Sequence, residues 1–231
     1  MITFPRLALL VTAAALSISA GKPAGKPGGQ FHWVAKVTAT PSGSHVIGNP
    51  EAKIRLVEYV SYTCGHCAAF EKEASGELAL GFIRQGKGSV EYRPFLRNIV
   101  DIAATLMVGC GEPARFALNH SIVLRSQEKW LAGVPEAKQR HWNTITDFPT
   151  RMRTVAADLH LYDQFEPRGY RRTELDRCLG NEALAKAIAQ ENQIASSVGS
   201  VNGTPSFLIN DRSQDAGDWT TLRPVLLALT K

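Results

Sequence analysis

Two cysteines separated by two residues, Cys64 and Cys67, carry the clearest chemistry in this sequence. An apolar, β-rich run ends just before them, and a helical pattern begins just after them. A cysteine that a strand delivers to the first turn of a helix is stabilised as a thiolate by the backbone N–H groups and the helix dipole. The spacing and its context therefore predict a site of thiol–disulfide exchange.

The residues around the first cysteine indicate how such a site would work. Protonated His66 would add positive charge beside Cys64, which favours the thiolate and makes the disulfide more oxidising. Cys67, one turn into the helix, would resolve a mixed disulfide formed at Cys64. A zinc half-site or a purely structural disulfide are the alternatives, but zinc sites need about four ligands and the sequence has no second Cys-x-x-Cys pattern. We predict no metal and no cofactor.

Three elements must position the cysteines. Residues 53–62 have the strongest strand pattern, and its period of two puts Glu58 on one face with three aliphatic side chains. Beyond Cys67, apolar residues recur every four positions, as expected for an amphipathic helix, and residues 89–95 then form the next predicted strand. The apolar residues of the helical stripe are Phe70, Ala74, Leu78 and Phe82.

The remainder of the chain divides into a helical block and a second β segment. Residues 99–198 show helical periods only, whereas residues 206–209 return to a strand pattern that a last helix follows. The outer segments cannot each bury a core alone, so we expect them to share one sheet. This predicts an α/β fold with a sheet domain at 45–98 and 199–231 and an inserted all-helical domain at 99–198.

The N-terminal residues indicate export. Residues 1–20 have a charged start, a short apolar stretch and small residues, the pattern of a secretory signal peptide, and residues 21–44 read as a flexible leader or N-terminal arm. Disulfides persist outside the cytosol, which suits a chain with four cysteines. The net charge of +5 comes from dispersed basic residues, so we expect no nucleic-acid partner.

Three segments together resemble the DsbA-like thiol:disulfide oxidoreductases of the thioredoxin superfamily, from about Ser44 to the C-terminus. They are Val57-Glu58-Tyr59, Cys64-Gly65-His66-Cys67 and Gly203-Thr204-Pro205-Ser206-Phe207. The resemblance implies a thioredoxin-like fold whose sheet is interrupted by a long helical insertion, in the same order as the segments above. The Gly-His pair departs from the Pro-His of many family oxidases and is typical of protein disulfide isomerase domains.

The resemblance also implies roles for residues outside the cysteine motif. The Thr204–Pro205 bond would be cis, beside Cys64, with backbone groups that pair with an incoming substrate strand; a trans turn is the alternative. Glu58 matches a buried acid that would exchange a proton with Cys67, the alternative being an ion pair with a lysine. Some family members carry a second bridge, so Cys110 and Cys178 would form a structural disulfide rather than remain free thiols.

The predicted function is that of an exported, monomeric oxidoreductase that is soluble after signal-peptide cleavage, in the periplasm. It would introduce disulfides into unfolded or reduced secreted proteins by exchange through Cys64 and Cys67. A membrane reoxidase of the DsbB type, linked to quinone, would regenerate it, and a shallow apolar groove would bind both partners. An isomerase or reductase with a reductant-supplying partner, or a non-catalytic metal-binding or chaperone module, are the alternatives.

Overall fold

A computed structural model describes residues 32–199 and 201–230 of the chain. The predicted signal peptide at 1–20, and the leader as far as residue 31, lie outside the described residues. One six-stranded mixed sheet, in the order β1-β2-β4-β3-β5-β6, organises the described part. The strands are β1 (Val37–Ala39), β2 (His45–Gly48), β3 (Ile54–Val60), β4 (Gly88–Pro94), β5 (Ser206–Ile209) and β6 (Arg212–Ser213).

Strand β3 lies at the centre of the sheet and leads to the cysteine motif. It pairs in parallel with β4 and antiparallel with β5. Its predicted face, with Glu58 among aliphatic residues, is buried, and the opposite face is buried too except at Arg55. A strand covered on both faces needs apolar side chains at nearly every position. Burying a carboxyl group there costs folding free energy, so its presence suggests a functional role.

The first helix, α1 (Gly65–Glu77), continues directly into a π-helical segment, Leu78–Ile83. The four apolar residues of the predicted stripe are all buried in one core cluster. A strict four-residue repeat drifts around an α-helix of 3.6 residues per turn. The wider π turn, with its i→i+5 hydrogen bonds, compensates for that drift, so that Phe82 faces the same core as Phe70.

Helices fill the chain between β4 and β5, as predicted. Side chains of Asn98, Asp147 and Asn181 cap three of them, each by accepting a hydrogen bond from a backbone N–H in the first turn. A disulfide joins Cys110, just after α2, to Cys178 in α8. The helices are α2 (Ile99–Val108), α3 (Phe116–Arg125), α4 (Gln127–Trp130), α5 (Glu136–Thr144), α6 (Phe148–Asp158), α7 (Tyr162–Phe165), α8 (Arg172–Leu179) and α9 (Glu182–Ser197).

The last helix, α10 (Trp219–Leu229), packs beside α1 and the sheet. Asp218 caps its start by accepting a hydrogen bond from the Thr221 N–H. The sequence pattern predicts that Pro224 starts or interrupts this helix; the helix instead begins at Trp219 and continues past Pro224, so that prediction is wrong. No helix among residues 32–199 and 201–230 is long and apolar enough to cross a membrane.

Candidate active site

The cysteine pair lies where β3 delivers the chain to the first turn of α1. Cys64 is the N-cap residue, with extended backbone angles, and Cys67 lies in the first turn. Both cysteines are unbridged and buried, with exposed fractions of 5% for Cys64 and 0% for Cys67. The N-cap position brings the Cys64 sulfur close to the unpaired backbone N–H groups that begin the helix.

The pKa values of the two thiols are shifted in opposite directions. A hydrogen bond from the Cys67 side chain, followed by the Thr204 side chain and the backbone N–H groups of Cys67 and His66, lowers the pKa of Cys64 to about 4 although burial opposes this. Burial raises the pKa of Cys67, and the neighbouring Cys64 and Glu58 raise it further. At neutral pH the pair therefore holds a thiolate at Cys64 and a thiol at Cys67, which is the arrangement of a nucleophile with its resolving partner.

The loop before β5 closes over the first cysteine. The Thr204–Pro205 peptide bond is cis, and the Cys64 thiol donates a hydrogen bond of 3.0 Å to the Thr204 carbonyl oxygen. The Thr204 hydroxyl oxygen is buried and has no hydrogen-bond partner in the described part of the chain. When Cys64 loses its proton, its sulfur becomes an acceptor, and this hydroxyl is the side-chain donor that lowers its pKa.

Glu58 lies beneath the cysteines on β3 and is 1% exposed. Its Oε1 atom has no hydrogen-bond partner, and no lysine or arginine pairs with it among the described residues, which removes the ion-pair alternative. Burial, and then the charge of Glu71, raises its pKa well above the ordinary value. This shift favours the protonated carboxyl group, and the charge of Glu58 is close enough to raise the pKa of Cys67. Proton exchange between the two groups stays a prediction.

His66 is exposed, at the second position of α1. Its backbone N–H contributes to the low pKa of Cys64. The contribution expected from its imidazolium charge stays a prediction.

Sequence reasoning missed Asp101, a fully buried carboxylate that supports the loop before Cys64. It accepts hydrogen bonds from the Ser61 hydroxyl at 2.9 Å, the Thr63 N–H at 2.9 Å and the Arg97 N–H at 3.0 Å. Its own N–H bonds to the Asn98 side chain at the start of α2. An N-cap residue followed three positions later by an acid is a recognised helix-start pattern, so the sequence contained this signal.

Gln127, in α4, was also missed, and it ties the helical block to the cysteine loop. Its buried side-chain amide donates to the carbonyl oxygens of Tyr62 at 2.8 Å and Cys64 at 3.0 Å. The Tyr62 carbonyl precedes the helix, whereas the Cys64 carbonyl also accepts an intrahelical hydrogen bond from the Ala68 N–H at 3.2 Å. One amide therefore fixes the backbone on either side of Thr63 and holds Cys64 in its N-cap position.

A groove of about 570 Å³ lies beside this loop. It begins at Thr63 and runs between the start of α2 and the segment around α5. Its apolar wall includes Ile99, Val100, Leu131, Val134 and Trp142. Elsewhere, residues 32–199 and 201–230 contain no group of three or more His, Cys, Asp or Glu side chains placed to hold a metal ion.

Comparisons with known proteins give a consistent relationship. A family model described as thioredoxin matches residues 40–226. The crystal structure of a protein-disulfide isomerase from Novosphingobium aromaticivorans is 45% identical, covers 82% of this chain and 98% of its own, and superposes with a TM-score of 0.77. That of alpha-DsbA1 from Wolbachia pipientis is 20% identical, with coverage of 80% and 87% and a TM-score of 0.58, a likeness of fold.

Curated relatives match over a shorter part of their length. A putative protein-disulfide oxidoreductase of Rickettsia bellii is 26% identical over 166 residues, which are 71% of this chain and 56% of that protein. One of Rickettsia conorii is 25% identical over 166 residues, 71% of this chain and 52% of that protein. This chain thus spans about half the length of the curated relatives that it matches.

Proposed function

We propose that this chain, since it belongs to the thioredoxin family as a DsbA-like member, is a protein-disulfide oxidoreductase that acts through Cys64 and Cys67. The observation that carries the proposal is the pairing of an acidic Cys64 at a helix N-terminus with a buried, protonated Cys67. A structural disulfide needs no such difference in acidity, whereas exchange needs one sulfur that attacks and leaves readily.

The proposed reaction begins with the Cys64–Cys67 disulfide. A substrate thiolate attacks the Cys64 sulfur, and Cys67 leaves and takes a proton from Glu58. A second thiolate of the substrate then attacks the substrate sulfur that is bonded to Cys64. This forms the substrate disulfide and expels Cys64 as a thiolate. Two electrons pass from substrate to enzyme. The backbone of Thr204, beside Cys64, would pair with the substrate strand, and Pro205 would hold that loop in place.

We propose oxidation of substrates as the direction of the reaction. The low pKa of Cys64 stabilises the reduced enzyme above that pH, whereas the disulfide form gains nothing from it. A stabilised reduced form makes the disulfide a stronger oxidant. In this proposal the chain is exported and monomeric, acts on unfolded or reduced secreted proteins, and is reoxidised by a quinone-linked membrane partner of the DsbB type. The groove beside Thr63 offers both partners an apolar surface.

A redox titration in glutathione buffers tests the direction. The purified protein is equilibrated at pH 7, quenched and digested, and the Cys64–Cys67 and Cys110–Cys178 pairs are scored separately by mass spectrometry. We expect the Cys64–Cys67 potential to lie well above about −200 mV, in the range of strong oxidants. A potential near or below that of thioredoxin, about −270 mV, would refute the oxidase assignment.

An isomerase of the same fold is the second candidate. Two observations favour it: the 45% identical crystal structure is described as a protein-disulfide isomerase, and Gly65-His66 is a pair typical of isomerase domains. Two ribonuclease assays separate the two candidates: reduced ribonuclease mixed with the oxidised enzyme measures oxidation, and ribonuclease with scrambled disulfides, in a buffer that keeps the enzyme reduced, measures isomerisation. We expect this protein to reactivate reduced ribonuclease faster than scrambled ribonuclease, and the reverse order would favour the isomerase.

A further inference from the structure

A second buried acid lies one helical turn beyond the resolving cysteine. Glu71 follows Cys67 by four residues on α1, so both side chains lie on the same face of the helix. The Glu71 side chain is 5% exposed, almost as buried as that of Glu58. The exchange reaction described above does not use it. A carboxyl group buried at this cost requires either a full set of partners or a function.

Two side chains, Tyr92 and His120, form a row between the two acids, in contact with one another through their rings. Glu58 on β3 lies directly beside Tyr92 on β4 in the sheet register. The Tyr92 ring lies 4.4 Å from the His120 ring, centroid to centroid, and His120 Nε2 lies 3.7 Å from Glu71 Oε2. His120 Nε2 is buried and has no hydrogen bond in the described part of the chain, while its Nδ1 lies 3.0 Å from the Tyr62 hydroxyl.

At the Glu71 end, this row of side chains borders a cavity that is open to solvent. A cavity of about 220 Å³ lies between α1, α3 and the sheet, and Glu71, Tyr92 and His120 all line it. Ser75 and Ser121 supply further hydroxyl groups on its wall, so it offers water several hydrogen-bonding partners. Arg125, half-exposed, lies 3.6 Å from Glu71 Oε1 and stabilises the carboxylate at this outer end.

We propose, on the basis of the exchange function above, that Glu71, with Tyr92 and His120, forms the outlet through which a proton taken by Glu58 from Cys67 reaches this cavity. During reoxidation, Cys67 loses its proton to the Glu58 carboxylate as its sulfur attacks the mixed disulfide at Cys64. The oxidant's sulfur leaves as a thiolate. Glu58 then passes the proton to Glu71, which releases it to water, and during substrate oxidation the same route runs inward.

The electrostatics favour transfer in steps. Burial raises the pKa of Glu58 further than that of Glu71, whose serine and arginine partners offset part of the effect. Inward transfer from Glu71 to Glu58 is therefore downhill, and an outgoing proton, once on Glu71, is released to water more readily than it would be from Glu58. Burial lowers the pKa of His120 to about 3, so its neutral ring has one donor and one acceptor nitrogen. The titratable and charged groups that face Glu71 from the sheet, the cysteine loop and α3 are Glu58, Tyr92, Tyr62, His120 and Arg125.

The test isolates the attack of Cys67 on the mixed disulfide. Reduced protein is mixed with oxidised glutathione in a stopped-flow instrument, and closure of the Cys64–Cys67 disulfide is followed from pH 5 to 8. We expect Glu71→Gln to slow closure about tenfold and to shift its pH profile downward, because Glu58 loses the repulsion that raises its pKa. Glu71→Asp should retain most of the rate, and Glu73→Gln, at an exposed position on the same helix, should match the wild type.

Chemical rescue distinguishes a proton outlet from a structural role. Glu71→Ala enlarges the cavity, and formate, a small carboxylic acid, should restore the closure rate as its concentration rises. Unchanged closure in Glu71→Gln, or an Ala variant that stays slow at every formate concentration, would overturn the outlet while leaving the exchange function intact. Absence of any closure in the wild type would instead refute the exchange function, and the outlet with it.

Discussion

Replacing Thr204 by valine should weaken the protein as an oxidant. The substitution keeps the shape of the side chain and removes the buried hydroxyl, which has no hydrogen-bond partner among the described residues while Cys64 is protonated. In the thiolate state the hydroxyl lowers the pKa of Cys64. Valine therefore removes a contact that exists mainly when Cys64 is a thiolate in the reduced protein. For this reason we expect a small change in the side chain to have a large effect on the redox potential.

The magnitude follows from the strength of a hydrogen bond to a charged group, about 1.5–3 kcal/mol. At about 1.4 kcal/mol for each pH unit, the pKa of Cys64 should rise from about 4 to about 5–6. Above that range, where the thiolate is fully formed in both proteins, the reduced variant loses the same free energy relative to its disulfide form. Because about 1.4 kcal/mol corresponds to about 30 mV for a two-electron couple, the potential should fall by about 30–60 mV.

Two measurements check this prediction. Thiolate absorbance at 240 nm, titrated from pH 3 to 9, gives the pKa of Cys64, and glutathione equilibration at pH 7 gives the potential. Thr204→Ser keeps the hydroxyl and serves as the matched control, with both values expected near the wild type. A valine variant whose pKa and potential do not move, or whose potential rises, would show that the hydroxyl does not stabilise the thiolate.

Two further predictions concern stability. Glu58→Gln should remove a pH dependence: because the folded-state pKa of Glu58 lies above its unfolded value, the wild type should lose up to about 1.4 kcal/mol of unfolding free energy per pH unit as pH rises above about 4. Urea unfolding at several pH values measures that slope, and an equal slope in the variant would contradict this cause. Replacing Cys110 and Cys178 together by alanine should lower the unfolding free energy by about 4 kcal/mol, since their bridge spans 68 residues. The potential of the other cysteine pair should stay unchanged in that variant, and a shift would show that the bridge acts on the site.

The parts of the fold that were predictable depend on local periodicity. The period of two in β3 and the apolar stripe of α1 are properties of short segments, and both appear in the structure. The spacing of that stripe also departs from the period of a regular α-helix. A repeat of four over residues 70–82 does not fit a regular α-helix, and the π turn at Leu78–Ile83 is its structural counterpart. Strand β6, only two residues long, has no period that a sequence could display.

The supporting residues of the site were less accessible to sequence reasoning. Gln127 reaches the cysteine loop from 63 residues away, and no local pattern encodes such a contact. The position of Glu71 was easier to predict, because its spacing of four from Cys67 places it on the same helix face as that cysteine. Whether an acid at such a position faces solvent or the core depends on what packs against the helix, here α3 with His120, and that is settled only by tertiary structure.

The contact made by Gln127 has a consequence for attempts to simplify this protein. Excising the helical block and rejoining the sheet with a short linker would leave the carbonyl oxygens of Tyr62 and Cys64 without the amide that holds them. The cysteines would remain in place along the chain, yet the geometry that makes one of them acidic would relax. The block is therefore not a detachable module, and a minimal scaffold or a chimaera has to supply an equivalent amide donor at this loop.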